Sequence, residues 1–600
     1  MASFLDKLKI KTAVDTHTKL DLSCNHISTA DFMQLNVAWK KELVPGEKIK
    51  VNMETLARLA PMPCPTFGRG NINNRAFFVP FRTIFPGWND FITDTSHITA
   101  EGQKGLINKV TTIRNNDLVT VFTNPEFATV SAYNSNVKYD YVMLEEGAYS
   151  GIRLTVLGRQ VMKILNSLGY KIVWNNRDTT EYSALPLLAL VKVYYDWYFP
   201  SAYANTGLMA TIESILKMDV IDYTLTETEI FDLLAFIPKV NYDSDYFVSA
   251  WDNPVNPNSG SFSAVSMLDP TNGSQTTYNR VIGVSNFDGT NSTGSSEAPI
   301  IQGGTTISTG ASLNALSQFA VDALKSLTDY MKRHQLVGAR ALDRYLARFG
   351  VNLPAEKLNR SVYLGSNIQP LQFNDVWSTA STDKATLGDY AGKGISYGSN
   401  SFDYETDEYG IMIIVSSIVP VIGYYQGIDR NNRHISKLDY WTPEFDNLGT
   451  QAISADELFV PTSSYGFTFP SDNRLSNRVF GFTPRYAEYK VCRDNVTGDL
   501  IYNSLNAGAD SWHLMRELEY TSYADIVHNM AFVQGNDSGQ YNRIFNSVAD
   551  AESPWYSDKF NVIYNFNIVS ISPMKSLFDT YDFDSHGKTV TEDVNGVKMN

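Results

Sequence analysis

The chain has 600 residues, of which 43% are hydrophobic and 19% charged, and its formal net charge is -15 at pH 7. This composition supports a large buried core and excludes global disorder, and the acidic balance argues against a protein that binds polyanions unaided. The three cysteines, Cys24, Cys64 and Cys492, lie too far apart to suggest a disulfide framework or a cysteine-based zinc site. The first residues lack the apolar core of a signal peptide, and the longest apolar run, 410–423, is too short to span a membrane. We therefore expect a soluble protein of a reducing compartment.

The N-terminal residues 1–20 predict a short basic arm, because they contain four lysines against two acids. Lys7, Lys9 and Lys11 are the candidates for contact with a polyanion on the inner side of an assembly. The alternative is a solvated, frayed terminus.

Strand signals follow the arm. Ile49, Val51 and Met53 alternate with polar residues and predict a half-buried strand. A second strand is predicted in residues 73–85, where Pro80 requires an edge position, a bulge or a strand end. Residues 111–123 predict a further pair of strands that turns at Asn115–Asn116.

Two segments, 153–168 and 184–199, have the apolar spacing of helices. Residues 253–312 are instead rich in Asn, Gly, Ser, Thr and Pro, a composition that cannot bury much apolar area. This stretch is predicted to be an exposed loop or a flexible insertion.

The clearest helical pattern lies in residues 313–364, which we interpret as a helical insertion. Between Lys325 and Arg360 there are eight Lys/Arg against three Asp/Glu, a local charge of +5. Arg340, Arg344 and Arg348 recur at the i, i+4, i+8 spacing of one helix face. That row must meet water, an acidic neighbouring subunit or nucleic acid.

Strand signals return after this segment. Residues 410–419 and 421–426 predict a buried pair of strands, and the aromatic run 440–445 predicts another strand. There is no internal repeat and no flexible linker between domains. The pattern indicates a mainly β chain, an eight-stranded antiparallel jelly roll in a single domain (21–600) with long loop and helical insertions.

Catalytic and metal-binding motifs are missing from the sequence. It contains no His-Glu-x-x-His, no Cys-x-x-Cys, no phosphate-binding glycine loop and no nucleophile elbow. Asp579, Asp582 and Asp584, beside His586, form a loose candidate cation site without the spacing or turn glycine of a calcium loop, and a solvated tail is the alternative. The chain therefore favours a structural role rather than an enzyme, with no cofactor; structural divalent cations stay open.

Several segments, in order along residues 44–590, carry a resemblance to a known family. They include FFVPFR (77–82), DYFVSAW (245–251), RYLARFGVNLPAEKLNRSVYLGS (344–366), YYQGIDR (424–430) and FTPRYAEYKVCRDNVTGDL (482–500). Together they resemble the major capsid protein of the Microviridae, small bacteriophages with circular single-stranded DNA, in the gokushovirus-like and Bacteroides-associated branches. Residues 203–240 and 253–312 do not match closely.

The resemblance implies a jelly roll that assembles through pentamers into a T=1 icosahedral shell around the genome and displays surface loops for host attachment. It makes 253–312 the first candidate for an outward insertion and 203–240 the second. The implied partners are copies of the chain, the single-stranded DNA, small basic DNA-binding and pilot or scaffolding viral proteins, and a host surface receptor. The implied location is the virion, with assembly in the host cytoplasm.

Two other interpretations stay open, and the first of them also explains the acidity and the aromatic residues. One is a surface carbohydrate-binding or glycan-degrading β protein, against which the missing signal peptide argues. The other is a different phage structural protein, such as a spike or tail component, although such proteins often show repeats or coiled coils.

Overall fold

The computed structural model describes residues 17–59, 66–132, 150–199 except 176, 207–251 except 236 and 238, 359–374, 393–461 with short gaps at 436, 438 and 447–449, 478–501, 512–534 except 521 and 523–524, and 558–574, together with three short strands at 142–143, 266–268 and 275–277. The strands are, in chain order, β1 (Thr18–Asp21), β2 (Cys24–Ala30), β3 (Leu35–Leu43), β4 (Lys48–Leu59), β5 (Gly70–Pro80), β6 (His97–Ile98), β7 (Lys104–Gly105), β8 (Thr112–Arg114), β9 (Ala128–Ala132), β10 (Val142–Met143), β11 (Ser150–Leu154), β12 (Glu181–Ser183), β13 (Ser266–Leu268), β14 (Gln275–Thr277), β15 (Val362–Asn374), β16 (Lys393–Glu405), β17 (Gly410–Pro420), β18 (Thr450–Ser454), β19 (Val479–Pro484) and β20 (Phe560–Ser572). The α-helices are α1 (Trp88–Ile92), α2 (Asn115–Val121), α3 (Val156–Ser167), α4 (Leu185–Val193), α5 (Gly207–Leu216), α6 (Glu227–Leu234), α7 (Ala455–Leu458) and α8 (Met530–Val533).

Eight of these strands form two four-stranded antiparallel sheets. One sheet has the order β2-β20-β4-β16 and the other has the order β3-β17-β5-β15, with β1 added beside β20. The two sheets are joined where the end of β15 pairs with the start of β16. Numbered along the chain, the eight strands pair as 1-8-3-6 and 2-7-4-5, which is the jelly-roll connectivity. The predicted eight-stranded jelly roll is therefore confirmed.

The two sheets face each other across one core. The rings of Trp39 on β3 and Phe566 on β20 lie 6.1 Å apart, and those of Phe78 on β5 and Tyr404 on β16 lie 4.9 Å apart. The Nδ2 atom of Asn74 on β5 donates to Oγ1 of Thr55 on β4 at 3.1 Å. Aromatic and polar contacts therefore both connect the two layers.

The sheet containing β4 and β20, here called the open sheet, has one face in the core and one face in solvent. Along β4 the even positions from Lys48 to Arg58 are exposed or half-buried, and the odd positions are buried. The same alternation continues along β20. This confirms the strand predicted from Ile49, Val51 and Met53, and it is the pattern that an antiparallel sheet with one wet face requires.

The opposite sheet is covered on both faces. All eleven residues of β17 are buried, since one face meets the open sheet and the other meets helices. Helix α4, whose nine residues are all buried, packs on β5 and β17, and α3 packs on β3. A strand buried on both sides is a nearly continuous apolar run, which is what β17 shows. The predicted helices at 153–168 and 184–199 are confirmed, although β11 occupies the start of the first.

The strand pair predicted in residues 111–123 is wrong. Only β8 is a strand there, and α2 begins at Asn115, where the turn was expected. The buried Asn115 side chain donates to the Val173 carbonyl at 2.6 Å and accepts from the Val173 N–H at 3.0 Å. This contact with a distant segment, rather than a local hairpin turn, determines the conformation at Asn115.

Two predicted strands in the C-terminal half are also wrong. Residues 421–426 do not continue the sheet, because β17 ends at Pro420 and the N–H of Val421 donates to the Arg69 carbonyl at 2.8 Å in a loop contact. The aromatic run 440–445 contains a 3₁₀ turn at Pro443–Phe445, since proline fixes the φ angle that such a turn needs.

The predicted insertions are described only in part. Within 203–240, α5 and α6 bury apolar side chains in the common core, and α6 begins with a capping box at Thr226. Of 253–312, only β13 and β14 belong to the described residues, and the predicted helical segment 313–364 lies outside them up to residue 358. Residues 362–364 belong to β15, so the end of the predicted helical insertion is a strand. Within the described residues, no helix is long and apolar enough to cross a membrane.

Candidate functional surfaces

The site residues predicted from the sequence all lie outside the described residues, so their contacts stay predictions. This holds for the arm residues Lys7, Lys9 and Lys11, for the row Arg340, Arg344 and Arg348, and for the candidate cation ligands Asp579, Asp582 and Asp584. Among the described residues, no group of three or more His, Cys, Asp or Glu side chains is placed to hold a metal ion.

A buried ionic network organises the long connection between β17 and β20. The side chain of Glu457 on α7 is fully buried; it accepts from Arg430 Nη1 at 2.6 Å and from the hydroxyl of Tyr246 at 3.2 Å. Arg433 Nη1 lies 2.9 Å from Asp456 of the same short helix. Burial raises the pKa of Tyr246, and the neighbouring Glu457 carboxylate raises it further, so this phenol stays protonated and acts as a donor.

A cavity of about 520 Å³ opens beside this network. Its wall includes Arg493, whose guanidinium lies over the rings of Tyr246 and Phe247 at 5.5 and 5.4 Å. Arg493 also lies 3.6 Å from Asp429, and the Arg430–Glu457 pair lines the same cavity, so both of its arginines are paired with carboxylates. Such paired charges hold the loops around the cavity in place.

The outer face of the open sheet is the second surface that the fold creates. Four apolar side chains lie in one row across its strands, because Ile27 pairs with Ile563, Ile563 with Leu56, and Leu56 with Tyr397. Charged residues on this face balance one another, as in the exposed pair Lys48–Glu405 at 3.0 Å. The face is thus close to neutral on an acidic chain.

A buried ion pair joins the first and last long strands of the jelly roll. Lys559 Nζ lies 2.9 Å from both carboxylate oxygens of Asp31, and the side chains are 2% and 10% exposed. The adjacent rings of Phe32 and Phe560 meet edge to face at 4.9 Å. Sequence reasoning missed this pair, since 528 positions separate the two residues and only the fold brings them together.

A histidine held between two carboxylates fixes the hairpin of β6 and β7 to the body of the protein. His97 Nδ1 lies 2.6 Å from Asp90 Oδ2, and His97 Nε2 lies 2.6 Å from Asp219 Oδ1. The hydrogen bond with Asp90 raises the pKa of His97 against the opposing effect of burial, and Asp219 adds to the rise. The same hydrogen bond lowers the pKa of Asp90.

We expect His97→Gln to destabilise the protein in a pH-dependent way. A raised histidine pKa contributes stability that is complete below about pH 6.5 and is lost as the pH rises through the folded-state pKa, whereas the lowered Asp90 pKa contributes only above about pH 4. The loss of unfolding free energy, measured by urea denaturation, should therefore be larger at about pH 5.5 than at about pH 9. His17→Gln, at an exposed histidine, serves as control and should leave the unfolding free energy unchanged at both pH values. An equal loss at both pH values for His97→Gln would contradict a stabilising role for the His97–Asp90 and His97–Asp219 contacts.

Comparison with known proteins agrees with this fold. Residues 8–140 and 157–578 match the capsid protein (F protein) family. The chain is 24% identical over 580 residues to capsid protein VP1 of Chlamydia phage 1, covering 88% of this chain and 91% of that protein. It is 23% identical over 558 residues to capsid protein VP1 of Bdellovibrio phage phiMH2K, covering 88% and 90%, and 25% identical over 237 residues to capsid protein VP1 of Spiroplasma virus 4, covering 37% and 41%. The protein therefore belongs to the capsid protein (F protein) family of small bacteriophages.

Proposed function

We propose that this chain is the major capsid protein of a small single-stranded DNA phage, that it assembles through pentamers into a T=1 icosahedral shell, and that its role is structural rather than catalytic. The observation that carries the proposal is the family match over nearly the whole chain, on a chain that folds as a jelly roll. The two relatives that are matched over most of their own length are both named capsid protein VP1. Assembly takes place in the host cytoplasm and the product is the virion.

Charge limits what the shell does alone. An enclosed genome brings about one negative charge per nucleotide. The chain itself carries -15, and its basic segments are the arm 1–20 and the region 325–360. Neutralisation of the DNA therefore depends on small basic viral proteins, polyamines or metal ions, and pilot or scaffolding proteins assist assembly. Arg340, Arg344 and Arg348 contact either the DNA or an acidic neighbouring subunit.

Host attachment is the second part of the proposal. Residues 253–312 are the first candidate for a receptor-binding loop, because their polar composition suits an exposed excursion. Residues 203–240 are the weaker candidate, because α5 and α6 contribute to the core.

We expect uniform isometric particles in electron micrographs when the chain is produced with the other structural proteins of its phage. Like-charged subunits repel, so the particle yield should rise with salt, which screens that repulsion, and fall when a chelator removes divalent cations. Soluble monomers with affinity for glycans would contradict the capsid role and support a carbohydrate-binding protein. A particle yield that does not respond to salt or chelator would remove the electrostatic part of the proposal.

A further inference from the structure

Eight large apolar side chains are exposed on the described part of the connection between β17 and β20, and six of them, all except Val479 and Val527, form one group. Ile435 is 91% exposed, Tyr440 54% and Trp441 48%. The complete set, here called the aromatic patch, is Ile428, Ile435, Tyr440, Trp441, Tyr489 and Val491. An exposed apolar cluster of this kind on a soluble chain marks a surface that another molecule covers.

The patch is one surface although it comes from two segments. The ring of His434 lies 5.4 Å from that of Tyr440 and 5.7 Å from that of Tyr489, so it connects the segments. Ile428 and Val491 lie together on the wall of the 520 Å³ cavity. The apolar area therefore continues from the exposed turn at Ile435 to the mouth of this cavity.

Charges around the patch are already paired within the subunit. Lys490 Nζ lies 2.6 Å from Asp446, Arg493 Nη2 lies 3.6 Å from Asp429, and Arg433 Nη1 lies 2.9 Å from Asp456. These pairs leave the surroundings of the patch close to neutral, whereas the whole chain carries -15. Two copies of an acidic chain repel each other over most of their surfaces, and a balanced apolar surface is where that repulsion is weakest.

We infer that the aromatic patch is a contact surface for a second copy of this chain in the shell. The inference rests on the proposed function and adds which surface makes the contact. Protein interfaces are enriched in tyrosine and tryptophan at their centre, which contributes most of the binding energy, and are surrounded by a polar rim. The aromatic patch, with ion pairs around it, has this composition. A strongly basic or acidic partner would require an excess of the opposite charge around the patch. The described residues around the patch carry no such excess.

Photocross-linking tests which molecule covers the patch. Ile435→p-benzoylphenylalanine places the reactive group at a side chain that is already exposed, so the fold is not disturbed. Irradiated particles should yield a band of twice the chain's mass in which both linked peptides come from this chain, and dissociated subunits should not. Absence of this band in particles, or adducts only with another protein, would overturn the inference.

A matched pair of double variants tests whether the contact matters for assembly. Ile435→Ser/Trp441→Ala should lower the particle yield by roughly tenfold or more, because it removes two central side chains of the interface. Ile98→Ser/Leu106→Ala removes two exposed apolar side chains at the β6–β7 hairpin, outside the aromatic patch, and should leave the yield within about twofold of the unchanged chain. Both variants should keep the circular dichroism spectrum and urea midpoint of the unchanged chain.

The outcomes separate the two proposals. Unchanged chains that form no particles would count against the proposed function. Particles that form as well from the patch variant as from the unchanged chain, or equal losses in both variants, would overturn the inference about the patch alone.

Discussion

Replacing Asp31 with alanine should reduce the unfolding free energy of the subunit by about 3–5 kcal/mol, because it breaks a buried ion pair and removes the Asp31 carboxylate that faces the Lys559 ammonium. The Lys559 side chain is only 2% exposed, and its ammonium contacts both carboxylate oxygens of Asp31. Urea denaturation of the unassembled subunit, followed by circular dichroism, measures the loss. An unchanged slope of unfolding free energy against urea concentration would show that the variant exposes the same surface on unfolding.

The pair connects elements that the chain places at opposite ends. Asp31 directly follows β2 and Lys559 directly precedes β20, so the pair closes the sheet where its first and last long strands meet. Nearby, Lys163 Nζ lies 2.6 Å from Asp558, which ties α3 to the same corner. Loss of the pair should therefore loosen both termini of the jelly roll.

Two further variants distinguish a buried pair from a surface one. Burial raises the pKa of Asp31 in spite of the nearby ammonium, which indicates that removing this carboxylate from water outweighs its attraction to Lys559. Asp31→Leu/Lys559→Met, which removes both charges, should therefore recover most of the lost stability. Glu405→Ala breaks the exposed pair with Lys48 and should cost at most about 1 kcal/mol. An Asp31→Ala variant no less stable than Glu405→Ala would contradict the argument.

Local periodicity predicted those parts of the fold that one element determines by itself. The alternation along β4 predicted its buried face, and the apolar spacing of 184–199 predicted α4. The run 410–423 showed burial, but not that β17 is a single strand between a sheet and a helix layer. A continuous apolar run is compatible with either arrangement, and only the neighbouring elements decide between them.

The wrong predictions have one cause in common: the local sequence signal does not include contacts with distant parts of the chain or with other molecules. At Asn115 the local signal for a turn was overridden by hydrogen bonds to Val173, far along the chain. The aromatic run at 440–445 suggested a strand, whereas Tyr440 and Trp441 are exposed beside a 3₁₀ turn. Aromatic residues favour strands because strands are usually half-buried, so a residue kept exposed for contact with another molecule gives the same local signal.

The residues that meet in the candidate surfaces were harder to predict from the sequence than the strands and helices were, because only the fold brings them together. The pairs Asp31–Lys559 and His97–Asp219 join residues without any common motif, and no spacing rule would have found them. Resemblance to a family predicted assembly into a shell, but not which surface makes the contact. The exposure and local neutrality of the aromatic patch supplied that information.

Gly158→Ala should destabilise the protein by about 1–3 kcal/mol, although the same change inside a helix ordinarily stabilises. Gly158 lies in the first turn of α3, where helix propensity alone would favour alanine by roughly 0.5–1 kcal/mol. A Cβ atom at this position would lie 2.0 Å from the carbonyl oxygen of Phe127, far inside contact distance. That oxygen also accepts the hydrogen bond of the Thr155 N–H at 2.8 Å, so α3 or the Phe127 loop must shift and the bond is strained.

Gly207→Ala provides the matched control, since Gly207 begins α5 and a Cβ atom there meets no heavy atom within 4 Å. It should leave the unfolding free energy unchanged or raise it by up to about 1 kcal/mol. Hydrogen exchange read by mass spectrometry adds a local measurement: Gly158→Ala should lose amide protection at Thr155 and in the first turn of α3, while Gly207→Ala should not. Equal unfolding free energies of the two variants would mean that α3 can move away from Phe127 without destabilising the protein. The packing of this helix on β3 would then not depend on the close approach at Gly158.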